Sequence, residues 1–161
     1  MIEKKLIGRR DIANFPELGL EKVPIKIDTG AYTSSIHCHH IEEITVDGEH
    51  LICFDLFDPN HKNYIDRKIT TNKYKQKMIK SSSGHAEKRF VIKTNILLYG
   101  IEYPIELSLS ERGTMKYPIL IGRKLLKKKF IVDPSKINLS FKHQKNNSFI
   151  FPPNKTEENQ Q

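Results

Sequence analysis

Apolar residues in this chain come in short runs broken by polar and turn-forming residues. That spacing predicts strands rather than helices and a mostly β protein. Strands are expected at 6–8, 23–27, 34–36, 41–46, 51–56, 74–79, 90–99, 101–109, 119–121, 130–132 and 137–141. Asp47-Gly48 and Tyr99-Gly100 each sit between two such runs and read as hairpin turns. One helix is expected, from Arg123 to about Lys128, with its lysines toward the C-terminal end, where the helix dipole favours cations. Residues 58–73 are polar and irregular and read as a loop or ragged edge. No internal repeat is visible, which argues against two catalytic lobes within one chain. The sum is one domain over 1–145, a small closed β-barrel with one short helix near its C-terminal end. A C-terminal tail over 146–161, polar from Pro152 to Gln161 and carrying Pro152-Pro153, is expected to be largely disordered.

Composition narrows the setting. The 161 residues amount to one domain, and an apolar fraction of 37% supports a real core. A formal net charge of +8 implies attraction to acidic partners, although a solvated lysine surface accounts for it equally well. Two cysteines, Cys38 and Cys53, make no disulfide framework and suit a reducing, cytoplasmic setting. Residues 1–10 carry charges without a signal-type apolar core, and no run approaches the roughly 20 apolar residues of a membrane span. The expectation is a soluble chain with no membrane association. Lysines cluster at 73–80 and 124–129, but Tyr74 is the only aromatic among them and no nucleic-acid motif appears. Nucleic acid is therefore not an expected partner.

The densest chemistry lies at Asp28-Thr29-Gly30, directly after the apolar run ending at Ile27. The acid can activate water, the hydroxyl can hold a loop, and the glycine lets another backbone come close. Aspartic peptidases carry this tripeptide, and their chemistry needs two carboxylates that share a proton. One acts as general base on water and the other as general acid on the scissile carbonyl. A chain with one copy finds the second most simply in a symmetric dimer. Read alone, the tripeptide is more often an ordinary turn. A second signal is Tyr117-Pro118-Ile119-Leu120-Ile121-Gly122-Arg123-Lys124-Leu125-Leu126, an apolar strand running through a glycine into a short basic helix.

Other constellations carry less. Lys80-Ser81-Ser82-Ser83-Gly84-His85, between two strands, suits a mobile turn. His37-Cys38-His39-His40 is dense in metal-type ligands, but strand alternation lets only His37 with His39, or Cys38 with His40, act together. His50, Cys53 and His85 are the residues that would have to complete a site, and no ligand spacing supports one. No metal or other cofactor is expected. The serines lack a nucleophile elbow, so Thr33, Ser34 and Ser35 read as groups that position the loop after Asp28. Of other acids in the chain, such as Asp55, Asp58, Asp66 and Asp133, the last is the best second carboxylate within one chain. It reads first as a turn former before Pro134.

Taken together these segments resemble a family. Ile7-Gly8-Arg9-Arg10, Pro16-Glu17-Leu18-Gly19, Lys26 to Ala31 with Thr33 to His37, Ser82-Ser83-Gly84, Arg89 to Thr94, Pro118 to Leu126 and Phe130 to Pro134 follow one another as in the retropepsin-like proteins that carry the name ATP-dependent zinc protease, the group that includes RimB. The resemblance covers roughly residues 5–141. It implies a retropepsin-like acid-protease fold and catalysis by Asp28, Thr29 and Gly30. Substrate contact then falls to Ala31, Thr33 and the covering turn Ser82, Ser83 and Gly84, with Ile121, Gly122 and Arg123 supporting the loop. The zinc and ATP of the name find no counterpart here: neither His-Glu-x-x-His nor a phosphate loop is present. Tyr32 stands where the family usually has a basic residue, and where viral relatives place an acid facing the arginine of the Gly-Arg step. Arg123 must therefore find another partner or none.

The resemblance also implies a homodimer with one Asp28 per chain. It implies a peptide substrate of acidic, polyglutamate type on a ribosomal or other protein, and association with an ATP-grasp amino-acid ligase pathway. A non-catalytic binding module or accessory factor for such a ligase is the alternative, since fold alone does not fix chemistry. A zinc-dependent peptidase is the second alternative.

Overall fold

The computed structural model describes residues 3–56, 68–80, 83–111 and 117–150, with side chains through 146. Strands β1 (Lys5–Ile7), β2 (Arg10–Phe15), β3 (Leu20–Ile27), β4 (Ser34–Val46), β5 (Glu49–Leu56), β6 (Lys68–Thr71), β7 (Tyr74–Lys80), β8 (Ala86–Leu98) and β9 (Ile101–Ser110) come first. They are followed by β10 (Ile119–Ile121), helix α1 (Arg123–Leu126), β11 (Phe130–Val132) and helix α2 (Leu139–Ile150). The expected mostly-β architecture with a short helix near the C-terminal end is the one the chain adopts.

Strand pairing forms a ring. Neighbours run β10-β3-β2-β8-β9-β4, and β4 pairs back onto β10 through Ile36 with Ile119 and Ser35 with Leu120. The link between β2 and β8 is a single bridge, Asn14 with Leu97. Strands β5 and β6 extend the sheet beyond β4, and β7 extends it beyond β8. A separate parallel pair, β1 with β11, joins the two ends of the fold.

The core follows from alternation. On β3, Val23, Ile25 and Ile27 point inward and are buried, while the residues between them are more exposed. Ile36, Phe54, Ile92, Ile96, Leu107, Ile119 and Ile121 join them in one buried cluster. Each such side chain contributes about 1.5–3 kcal/mol by leaving water. Both expected hairpin turns form, with φ positive at Asp47, Gly48, Tyr99 and Gly100, as a type I′ turn needs at both central residues.

Four expectations need correction. Strand β2 was not anticipated: its inward face is Asp11, Ala13 and Phe15, so a charge stands where a core residue belongs and Ile12 lies on the other side. The expected strands 34–36 and 41–46 are one strand, β4, which absorbs the break with a register shift between His39 and Glu42 and a positive φ at His40. Within 58–73, residues 68–71 form the edge strand β6 on β5, while 57–67 lie outside the described residues. The expected strand 137–141 does not form, since α2 begins at Leu139 and takes up 139–141.

The reason for α2 lies 129 residues upstream. The Asp11 carboxylate accepts the N–H groups of Ser140 and Phe141 as well as that of Ile12, and so caps the first turn of the helix from a different element. Burial pushes the Asp11 carboxyl up, against the pull of those N–H donors and of Lys142. Ser140 adds a second tie, its hydroxyl accepting the N–H of Tyr99 at 2.8 Å. The remaining tail, 151–161, lies outside the described residues.

Candidate active site

Three strand ends meet at Asp28. Strands β3 and β10 lie parallel, with Ile27 beside Ile121, and the Asp28 N–H continues the ladder by donating to the Ile121 carbonyl at 2.8 Å. The chain then turns tightly. Ala31 N–H donates to the Asp28 carbonyl at 3.2 Å, and Gly30 N–H donates to Asp28 Oδ1 at 3.0 Å. Any Cβ at Gly30 would lie 3.3 Å from that oxygen, so glycine is the residue that lets the backbone approach the carboxylate without crowding it. The result is a half-buried carboxylate held at one oxygen by its own turn.

The loop after the turn rests on the start of α1. Arg123 N–H donates to the Ala31 carbonyl at 2.8 Å and Lys124 N–H to the Tyr32 carbonyl at 2.9 Å, which satisfies two otherwise orphaned helix donors. Ser34 Oγ, at the start of β4, accepts the Gly122 N–H at 2.9 Å in a buried position, the positioning role expected for the hydroxyls at 33–35. Gly122 lies so close to the loop that an added Cβ would stand 2.6 Å from the Tyr32 carbonyl oxygen. Arg123 does find partners despite the missing acid. Its guanidinium donates to the Thr29 carbonyl at 2.9 Å and lies 5.8 Å from the centre of the Tyr32 ring. Ile121, Gly122 and Arg123 therefore hold the Asp28 loop through the backbone.

Asp28 opens on a cleft of about 860 Å³. Gly30, Ala31, Tyr32 and Thr33 form one side of it, and the β7–β8 hairpin, through Met78, Lys80, Ser83, His85 and Arg89, forms the other. Of the expected covering turn, Ser83 lines the cleft, Gly84 makes the bend with φ of 90°, and Ser82 lies outside the described residues. Thr29 is exposed and takes part through its carbonyl. Sequence reasoning missed Glu87, Arg89, Ser108 and Ser110. They sit on the polar side of alternating strands, which reads from sequence as a solvent face and is here the inside of the cleft.

Beside the cleft, three lysines converge on one acid. Glu106 Oε1 accepts from Lys77 Nζ and Lys124 Nζ, each at 2.8 Å, and Oε2 lies 3.1 Å from Lys75 Nζ. Partial burial pushes the Glu106 carboxyl up, but the lysine hydrogen bonds and the Lys124 charge outweigh it and hold the group down at about 2. The cluster ties the root of the hairpin to α1. A carboxyl lowered from its ordinary 4.5 stabilises the fold above that value, and the contribution is lost as pH falls through about 2. Glu106→Gln is expected to lower stability by about 1–3 kcal/mol at pH 7, discounted for the part-exposed lysines. Denaturant unfolding of both proteins should show that gap narrowing below pH 4. A gap unchanged down to pH 2 would contradict it.

The remaining candidates fall elsewhere. Asp133 does not line the cleft. It accepts the N–H and the hydroxyl of Ser135, which hold its carboxyl below the usual range, and forms a turn. His37 and His39 do share a face, with rings 5.0 Å apart, whereas His40 turns away to bond Asp55 at 2.7 Å. Cys53 pairs with Thr70 and His50 with Thr45, and among the described residues no three ligand-type side chains gather. Burial pushes the Cys38 thiol up to about 12, so it behaves as a small core residue.

Residues 6–143 match the family described as RimB-like, retropepsin-like aspartic endopeptidase RimB. Two curated relatives are similar over most of this chain. A probable alpha-L-glutamate ligase of Desulfotalea psychrophila is 38% identical over 138 residues, covering 83% of this chain and 29% of the relative. Another, of Shewanella pealeana, is 36% identical over 132 residues, covering 82% and 29%. The chain thus spans less than a third of the length of these relatives. Among solved structures, Lpg0085 of Legionella pneumophila, a protein of unknown function, superposes with a TM-score of 0.64 at 24% identity. The match covers 86% of this chain and 99% of that one. It supports the fold alone.

Proposed function

Because the chain belongs to the RimB-like family of retropepsin-like aspartic endopeptidases, we propose that it is an aspartic endopeptidase that works as a homodimer. The observation that carries this reading is the Asp28 carboxylate, fixed by its own turn at the edge of an open cleft large enough for a peptide. Among the described residues of one chain the other carboxylate lining that cleft is Glu87, which is taken up by Arg89. The twin of Asp28 then comes from a second copy, with Thr29 and its symmetry mate locking the two loops together.

The two carboxylates share one proton. The ionised one takes a proton from water as its oxygen attacks the scissile carbonyl, and the protonated one gives its proton to the carbonyl oxygen. Collapse of the resulting diol breaks the C–N bond as the leaving nitrogen is protonated, so one water is consumed per bond. Ala31, Thr33 and Ser83 contact the peptide backbone, with the 82–84 turn covering it and excluding water. The substrate is an acidic segment of polyglutamate type. The cleft carries Lys80, Arg89 and Arg123, and the curated relatives that contain a similar stretch are named as glutamate ligases. A ligase that adds glutamate and a peptidase that removes it act on one tail, in the cytoplasm.

A second reading, an accessory module for such a ligase, is favoured by Tyr32, which is 53% exposed where the family pattern has a basic residue. To separate the two, the solution mass is measured by sedimentation equilibrium over a concentration range, alongside cleavage of a protein with a glutamate tail. The peptidase reading expects a species of twice 18.7 kDa whose population tracks cleavage. A strict monomer, or a dimer without cleavage, hands the lead to the accessory module.

A further inference from the structure

The floor of the Asp28 cleft is small and polar. Ser35 and Ser108 are register partners across the parallel pair β4–β9, and Ser110 follows two residues on, on the same face. All three line the cleft, while Leu107 and Leu109, on either side of Ser108, point into the core. Ser108 differs from its neighbours in one respect. It is 1% exposed, and its Oγ finds no hydrogen-bond partner among the described residues. A buried hydroxyl left unpaired costs stability, and folded proteins keep few of them. An alanine or valine would satisfy the sheet at lower cost, as Val91, the register partner of Ser108 on β8, shows.

The surroundings indicate what the hydroxyl awaits. The cleft holds three permanent cations, Lys80, Arg89 and Arg123, against two carboxylates, Asp28 and Glu87. Behind it stand Lys75, Lys77 and Lys124 around the single Glu106. An apolar side chain entering this floor would leave Ser108 unpaired and strip water from the cations. A carboxylate would accept from the hydroxyl and sit in a favourable field. We propose that Ser108 is the specificity-determining residue of the cleft, its hydroxyl donating to a side-chain carboxylate of the peptide bound across Asp28. This rests on the reading of the cleft as a peptide site and says which residue makes it select acidic side chains.

The test uses binding as well as cleavage, so that the two proposals can fail separately. A hexapeptide of glutamates and its counterpart with norleucine at each position are titrated by calorimetry into full-length Asp28→Asn protein, with and without Ser108→Ala. Loss of the hydroxyl is expected to weaken the glutamate peptide about 10-fold and to leave the norleucine peptide unchanged or tighter, while Ser108→Thr restores most of the loss. The thermal midpoint of Ser108→Ala should hold or rise, since no bond within the protein is lost. Equal weakening of both peptides, no weakening of either, or no binding of the glutamate peptide at all overturns the assignment. Binding that depends on Ser108 in a protein that cleaves nothing would sink the peptidase and keep the subsite. Glutamate-selective cleavage indifferent to Ser108 would do the reverse.

Discussion

Asp28→Asn is expected to abolish cleavage, by about 10³-fold or more, without unfolding the protein. The substitution keeps the shape of the side chain. The amide oxygen can still accept the Gly30 N–H, and the Asp28 N–H to Ile121 bond is a backbone contact that no side chain alters. Unfolding midpoints of the two proteins should therefore agree closely. On the peptidase reading proposed above, what is lost is the group that takes the proton from water, and in a symmetric dimer it is lost twice. A shared dyad also makes the variant a poison. With equal amounts of both proteins mixing at random, about one quarter of dimers keep two aspartates, so activity falls below that of the wild-type protein alone. A variant that adds no inhibition would place both acids within one chain. Unchanged cleavage by pure Asp28→Asn protein would remove Asp28 from the mechanism altogether.

What the sequence discloses here is whatever a local pattern can encode. The Asp28 turn is local: acid, hydroxyl and glycine within three residues, with the hydrogen bond from Gly30 N to Asp28 Oδ1 spanning two. So are the two hairpin turns and the step from Ile121 through Gly122 into α1. The misses share a different cause. Asp11 disguises β2 because its charge is neutralised by donors from α2, and α2 disguises itself because its cap is Asp11. Neither residue makes sense without the other, and 129 positions separate Asp11 from Ser140. The cleft floor fails to show for a related reason. Ser108 and Ser110 alternate with leucines as a solvent-facing strand would, and only the placement of the β7–β8 hairpin, through Met78, Lys80 and Arg89, makes that face an interior.

The second large effect is expected from Gly122→Ala, a change of one methyl group. Gly122 has φ of −95° and ψ of 179°, extended backbone that alanine adopts freely, so no torsional penalty applies. The obstacle is space. The new Cβ would stand 2.6 Å from the Tyr32 carbonyl oxygen, 2.8 Å from the Tyr32 carbonyl carbon and 2.9 Å from the Ala31 carbonyl oxygen. All three are backbone atoms, and those two oxygens are the ones that accept the Lys124 and Arg123 N–H groups. Relief therefore means moving the loop off α1 and breaking the contacts that hold it. A loss of about 3 kcal/mol is expected from the denaturant midpoint, at the upper end of overpacking costs. Cleavage should fall further than stability explains, since the displaced loop carries Asp28, and a shift of about 1 Å costs roughly 10²-fold in rate. Gly48→Ala is the control. It has φ of 81° and open space around it, so it carries strain alone and leaves cleavage intact. If Gly122→Ala matched wild type in both midpoint and rate, the 31–32 loop would have to be free to move, and the clamp between α1 and Asp28 would not position the acid.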